Sequence, residues 1–195
     1  LKMSSEIKYI NSNFPVHKQI ESLRNSNIIN VITESKTTTS INKRVLYNKF
    51  NQKTFLVTGG GGTIGSEICN QLLRYSPKKI IILDNSEYNL FQVYYNLSNN
   101  YFFQEKKIEV DLKLIDIQNE NAINQLFSTY EKIDFVFHAA AYKHVSLGEK
   151  NKKNFAMNNI KGTYVILKNC IKFNVDNFVN ISTDKAVKPS TFMGK

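Results

Sequence analysis

Four consecutive glycines, Gly59 to Gly62, stand between an apolar run and a helical pattern in TFLVTGGGGTIGSEICNQLL. Few backbones accommodate that order. Phe55, Leu56 and Val57 read as a buried strand, and Thr58 opens the turn. From Ile64 the apolar spacing becomes helical, with Ile64, Ile68 and Leu72 on one face and Leu73 beside them. Two frames fit: Gly60, Gly62 and Gly65 spell G-x-G-x-x-G, and Gly59, Gly62 and Gly65 spell G-x-x-G-x-x-G. Both make the same demand. Glycine permits a tight turn, lets backbone approach a pyrophosphate, and brings helix against strand. The anion then rests on exposed N–H groups at the helix N-terminus.

The next apolar run, 79–83, ends at Asp84, about 20 residues beyond the last glycine. A carboxylate there can accept from both ribose hydroxyls of an adenosine and repels a 2′-phosphate. No arginine follows in NSEYNL to bind one. NAD is therefore expected in preference to NADP. The alternative is that Asp84 caps the helix starting near Ser86.

Helices and strands then alternate: a helix over 87–97, a strand over 109–115, a helix over 120–130, a strand over 134–138, a long helix over 153–173 and a strand over 178–181. Repeated βαβ crossovers predict an α/β fold, a Rossmann-type parallel sheet with helices on both faces and strand order 3-2-1-4-5. Residues 51–195 read as this NAD-binding domain. Residues 1–50 read as a polar amino-terminal arm or linker, rich in Asn, Ser, Thr and Lys, with a short helix over 41–50 leading into the first strand.

Composition excludes several classes. The chain carries a net charge of +10 and a pI near 9.5, but its lysines are scattered and no nucleic-acid motif accompanies them. No nucleic-acid partner is expected. No apolar run approaches the roughly 18 residues of a membrane span, and the start lacks a secretory core. Cys69 and Cys170 fall in helical patterns and read as reduced core thiols, which suits the cytoplasm, with no metal site.

The most telling stretch for chemistry is NFVNISTDKAVKPSTFMGK. Residues 178–181 read as a buried strand, and Ser182, Thr183, Asp184 and Lys185 follow where it leaves the sheet. Ligands of open parallel sheets bind outside the carboxyl ends of the strands. A hydroxyl, a carboxylate and an amine there can orient a substrate, donate a proton and accept one.

With VTGGGGTIGSEICNQL, ILDNSEYNL, DFVFHAAAYKHV, NNIKGT and ISTDKAVKPSTFMG in view, the chain resembles an extended short-chain dehydrogenase/reductase of the nucleoside-diphosphate-sugar type. More narrowly, it is similar to the UDP-N-acetylglucosamine 4,6-dehydratases of polysaccharide biosynthesis. The resemblance covers about three quarters of the chain. It implies that Gly59, Gly62, Thr63, Ile64 and Gly65 form the cofactor turn, that Asp84, Asn85 and Ser86 hold the adenosine ribose, and that Asp116 and Ile117 flank the adenine. Ala139, Ala140, Lys143 and Ser182 would wall the cofactor. Lys143, His144 and Thr183 would meet the substrate, and Thr183, Asp184 and Lys185 would be catalytic. Asn159 matches a family asparagine, read as bonding backbone between helix and strand. His138 reads as a satisfied core histidine.

The implied chemistry is an internal redox cycle yielding a UDP-4-keto-6-deoxy-sugar. Lys185 would take the C5 proton, Asp184 would protonate the departing C6 hydroxyl, and Thr183 would hold the C4 oxygen. Met193 stands where the family has a tyrosine, a replacement found in its larger, membrane-associated branch, and a thioether cannot serve as a base. The C4 base is thus open among Asp184, Thr183 and water. The lysine paired with that tyrosine would fall beyond Lys195, as would the sixth strand and the sugar-binding part. The chain therefore reads as the cofactor half of an enzyme, inactive alone. A homo-oligomer is expected when complete. The expected location is the cytoplasm, at the inner face of the membrane if a membrane domain precedes residue 1. A UDP-sugar epimerase and a non-catalytic NAD-binding module remain alternatives.

Overall fold

The computed structural model describes residues 43–183 and 191–192. Asp184, Lys185 and Met193, and the arm before Lys43, lie outside the described residues. The elements in chain order are α1 (Lys43–Phe50), β1 (Thr54–Thr58), α2 (Thr63–Leu72), a 3-10 turn (Leu73–Tyr75), β2 (Lys79–Asp84), α3 (Glu87–Ser98), α4 (Tyr101–Glu105) and β3 (Glu109–Leu114). Then follow α5 (Glu120–Thr129), β4 (Phe135–His138), α6 (Val145–Lys150), α7 (Lys152–Ala156), a π-helical segment (Met157–Gly162), α8 (Thr163–Lys172) and β5 (Asn177–Asn180).

All strand pairs are parallel, and their order is β3-β2-β1-β4-β5, as expected. Side chains alternate across the sheet with the two-residue period of strands. Phe55, Val57, Ile80 and Ile82 face one core with Cys69, Leu72, Leu90 and Val93 of α2 and α3. Leu56, Ile81, Leu83 and Val136 face the other with Ile123, Leu126 and Phe127 of α5 and Val165 and Ile166 of α8. Continuous apolar runs in β1 and β2 follow from that double coverage.

Helix α1 belongs to the packed body. The Phe50 ring meets Phe55 and Phe135 edge-on at 5.3 and 5.1 Å, and Tyr75 at 5.5 Å. At the same end of the sheet the buried Asp134 ties two strand starts together. It accepts from Thr54 N–H at 2.8 Å and from Lys53 Nζ at 3.1 Å. Cys69 and Cys170 are free, buried thiols, and burial pushes both above the usual thiol range.

Four expectations need correction. Ile64 is 53% exposed; the sheet-facing positions of α2 are Gly65, Cys69 and Leu72. The helix must set its glycine, not its isoleucine, against the turn. The strand after α8 is only partly buried, since β5 lies at the edge and Phe178 alone of its residues is buried. The long helix over 153–173 is broken by the π-helical segment at Met157–Gly162. The segments before it and between α3 and β3 also hold short helices, α6 and α4, that apolar periodicity did not reveal.

Candidate functional site

A cleft opens at the carboxyl ends of β1, β2 and β4. It is lined by Gly59, Gly62, Asp84, Asn85, Ala139, Ala140 and Asn158 among others. Its floor is bare backbone. Gly59 adopts φ +63°, and a Cβ there would sit 2.7 Å from Ala140 N and Cα. A Cβ on Gly65 would lie 2.1 Å from the Gly59 carbonyl oxygen. Gly62 has far more room, with its nearest atom at 3.3 Å, so its missing side chain serves the cleft instead of the packing. Gly59 differs from Gly60 in its positive φ and in having backbone in the way, which favours the 59-62-65 frame. A Cβ on Gly60 would meet only the Ile82 side chain closely, at 2.4 Å, and one on Gly61 would meet Asn89 at 2.5 Å.

Asp84 is buried at the end of β2. Its Oδ2 accepts from Gly61 N–H and its Oδ1 from Ser86 N–H, both at 3.0 Å. The carboxylate thus fastens the glycine turn to the start of α3. Capping α3 falls to Ser86, whose Oγ accepts from Asn89 N–H at 3.3 Å. Each Asp84 oxygen keeps a lone pair for a hydroxyl donor from the cleft. The N-terminus of α2 just past the turn, an acceptor beside it and a small-residue wall opposite make a set suited to a dinucleotide's pyrophosphate, ribose and flat rings.

The remaining expected residues divide. Thr63 and Ile64 sit exposed at the start of α2. Ile117 lines the cleft, whereas Asp116 turns its carboxylate to Gln118 N–H at 2.8 Å. Lys143 and His144 are exposed in the loop leading to α6 and do not line the cleft. Ser182 and Thr183 are exposed just beyond β5. Parallel pairing of His138 with Asn180 sends them out at the same edge as Ala139 and Ala140. Asn159 bonds backbone as expected, accepting from Tyr142 N–H at 2.8 Å and donating to Tyr142 O at 2.9 Å.

His138 is a buried histidine with both ring nitrogens engaged, by Thr58 Oγ1 at 2.7 Å and Thr163 Oγ1 at 2.8 Å. Burial pushes its pKa down to about 4, so it is neutral at physiological pH. Sequence reasoning missed Asn89, Ile115, Tyr142 and Asn158 of the cleft lining. Asn89 could have been found from its place on the first turn after Asp84. Asn158 could not, because a π-helical turn defeats the 3.6-residue spacing. Among the described residues no group of His, Cys, Asp or Glu could hold a metal, and no helix is long and apolar enough to cross a membrane.

Residues 55–195 match the family described as polysaccharide biosynthesis protein. The chain is 40% identical over 150 residues to the capsular polysaccharide biosynthesis protein CapD of Staphylococcus aureus, a match covering 77% of this chain and 24% of that protein. It is 32% identical over 148 residues to a UDP-N-acetylglucosamine 4,6-dehydratase (inverting) of Campylobacter jejuni, covering 74% and 40%. Among solved structures it is similar to a UDP-glucose 4-epimerase of Bifidobacterium longum in complex with NAD+ and UDP, with a TM-score of 0.58, 27% identity and coverage of 70% and 38%. The chain spans about a quarter to two fifths of the length of the curated relatives it matches.

Proposed function

We propose, from the premise that this chain belongs to the polysaccharide biosynthesis protein family, that it is the NAD-binding part of a nucleotide-sugar 4,6-dehydratase acting on a UDP-N-acetylhexosamine. The carrying observation is the cleft itself. A turn with Gly59 at φ +63° lies beside the buried Asp84 and opposite Ala139 and Ala140. The Campylobacter relative, a dehydratase by name, supports the reaction and its substrate class.

NAD, held by the start of α2 and Asp84, would supply a hydride acceptor for sugar C4 and a hydride donor for C6. The chain's own residues do the rest. The N–H groups of Thr63 and Ile64 at the start of α2 bind pyrophosphate, and Asp84 accepts from the adenosine ribose and disfavours a 2′-phosphate. Oxidation at C4 makes the C5 proton acidic. As hydride leaves C4, the O4 proton passes to Asp184, Thr183 or water. Lys185, neutral, then removes the C5 proton; Asp184, protonated, gives its proton to the C6 hydroxyl, which leaves as water; and Lys185 returns a proton to C5 as hydride adds at C6. Thr183 holds the C4 oxygen. Thr183 lies just beyond the end of β5, which pairs with β4, and Asp184 and Lys185 follow it directly in the sequence. Residues 51–195 would be the cofactor domain, completed by a sugar-binding part elsewhere in the full-length protein.

The test incubates full-length protein with UDP-N-acetylglucosamine and follows product mass and C5 deuterium in heavy water. Loss of one water and C5 exchange that vanishes in Lys185→Ala are expected. A new sugar of unchanged mass would replace this reading with epimerisation, which the epimerase-like fold also accommodates.

A further inference from the structure

Behind the cleft wall runs a chain of hydrogen bonds that the proposed chemistry does not use. Thr58 Oγ1 lies 2.7 Å from His138 Nδ1, and His138 Nε2 lies 2.8 Å from Thr163 Oγ1. The Thr163 hydroxyl also donates to the Asn159 carbonyl at 2.7 Å. Asn159 then clasps both backbone groups of Tyr142.

The proton inventory fixes the direction of every bond. Thr163 has one hydroxyl hydrogen, and the Asn159 carbonyl can only accept it. Toward His138, Thr163 therefore offers a lone pair, and Nε2 must carry the ring hydrogen. Nδ1 is then bare, so Thr58 donates to it. One neutral tautomer alone satisfies the whole series.

Four of the five members adjoin the cleft. Thr58 precedes Gly59, His138 precedes Ala139, Asn159 follows Asn158, and Tyr142 lines the cleft itself. The four come from β1, β4, the π-helical segment and the loop after β4. An ordinary core histidine needs only to be satisfied. This one joins separate walls of one site. π-helical turns recur at functional sites, and here the turn supplies both Asn158 and Asn159.

We propose that His138 is a positioning residue: its Nε2–H tautomer, transmitted through Thr163 and Asn159, sets the spacing between the glycine turn, the alanine wall and the Tyr142 loop, and so the affinity of the cleft for a dinucleotide. The affinity half rests on the NAD reading above; the hydrogen-bond half does not.

The test uses the full-length protein and two substitutions. Thr163→Val keeps shape and deletes the hydroxyl, leaving two polar groups unpaired; Thr163→Ser keeps the hydroxyl. Amide exchange at Tyr142 and NAD affinity are measured for both. Thr163→Val is expected to speed Tyr142 exchange and weaken NAD binding, each roughly tenfold, while Thr163→Ser restores both to near wild type. Unchanged exchange and affinity in Thr163→Val, or failure of Thr163→Ser to restore them, overturns the proposal. Nitrogen NMR of labelled histidine in the wild-type protein decides it even if Thr163→Val does not fold. An Nδ1–H tautomer at His138 overturns it, and an Nε2–H tautomer supports it. A wild-type protein that binds no NAD refutes the cofactor reading and the affinity half, and Tyr142 exchange still decides the hydrogen-bond half.

Discussion

On the β1–β2 side of the cleft, shape comes from atoms that are missing. Gly59 and Gly65 touch because neither has a Cβ, and Asp84 fastens the turn to the start of α3 through the N–H groups of Gly61 and Ser86. On the β4 side, shape comes from side chains. His138, Thr163 and Asn159 span the gap between sheet, π-helical segment and loop. The first wall is set chiefly by steric contact. The second depends on where single hydrogens sit. Substitution should therefore break the first abruptly and the second by degrees.

The largest effect is expected from Gly65→Ala. The new methyl would meet the Gly59 carbonyl at 2.1 Å, and backbone cannot swing aside as a side chain can. A loss of about 3 kcal/mol or more is expected in urea unfolding. A cost below about 1 kcal/mol would mean that α2 slides freely, and the steric wall would lose its meaning.

Acid should test the β4 wall next. His138 has a folded-state pKa near 4 against an ordinary 6.5. The unfolded chain thus binds the extra proton first. The stability that depends on neutral His138 is complete above about pH 6.5 and falls as pH drops toward 4, by up to about 3 kcal/mol. Wild type is expected to lose more stability than His138→Leu across that window. Equal slopes would show that His138 does not carry the acid response.

Asp84→Asn sharpens the contrast on the steric side. One oxygen becomes an amide that cannot accept, so either the Gly61 or the Ser86 bond is lost. A cost of about 1–2 kcal/mol is expected by thermal unfolding, with a weaker preference for NAD over NADP in parallel titrations. Retained preference would place cofactor selectivity elsewhere. The smallest effect belongs away from both walls. Glu120 and Lys168 pair on the exposed side of α5 and α8. Glu120→Gln should cost less than about 0.5 kcal/mol, and a larger loss would show that α5 docking feeds into the site.

The two walls also differ in how far they could be read from the residues alone. Strand, glycine turn, helix and Asp84 are local in sequence, so spacing was enough to place them, and the sheet order followed from the alternation of elements. Even there, Ile64 misled, because helical periodicity scores an apolar side chain and cannot see that Gly65 must face the turn. The β4 wall is assembled from Thr58, His138 and Thr163, which are far apart in the chain. No local pattern announces that they meet. Asn158 was hidden for another reason, since its π-helical turn departs from the spacing on which helix reading depends. The pairing of β4 with β5 puts Thr183 beyond the strand neighbouring His138, which the crossover rule anticipated, while Asp184 and Lys185 rest on sequence order alone.

The π-helical segment from Met157 to Gly162 exposes this site to a kind of change that substitutions do not explore. A regular α-helix advances about 100° per residue. Loss of the codon for Ile160 or Lys161, within those six positions, would let the helix close up into ordinary register and rotate everything before the gap by that angle. Asn158 and Asn159 would then swing off the cleft although every side chain that lines it is still encoded. In a lineage of such genes, the length of this helix is therefore constrained as tightly as its composition, and point mutagenesis would never reveal it.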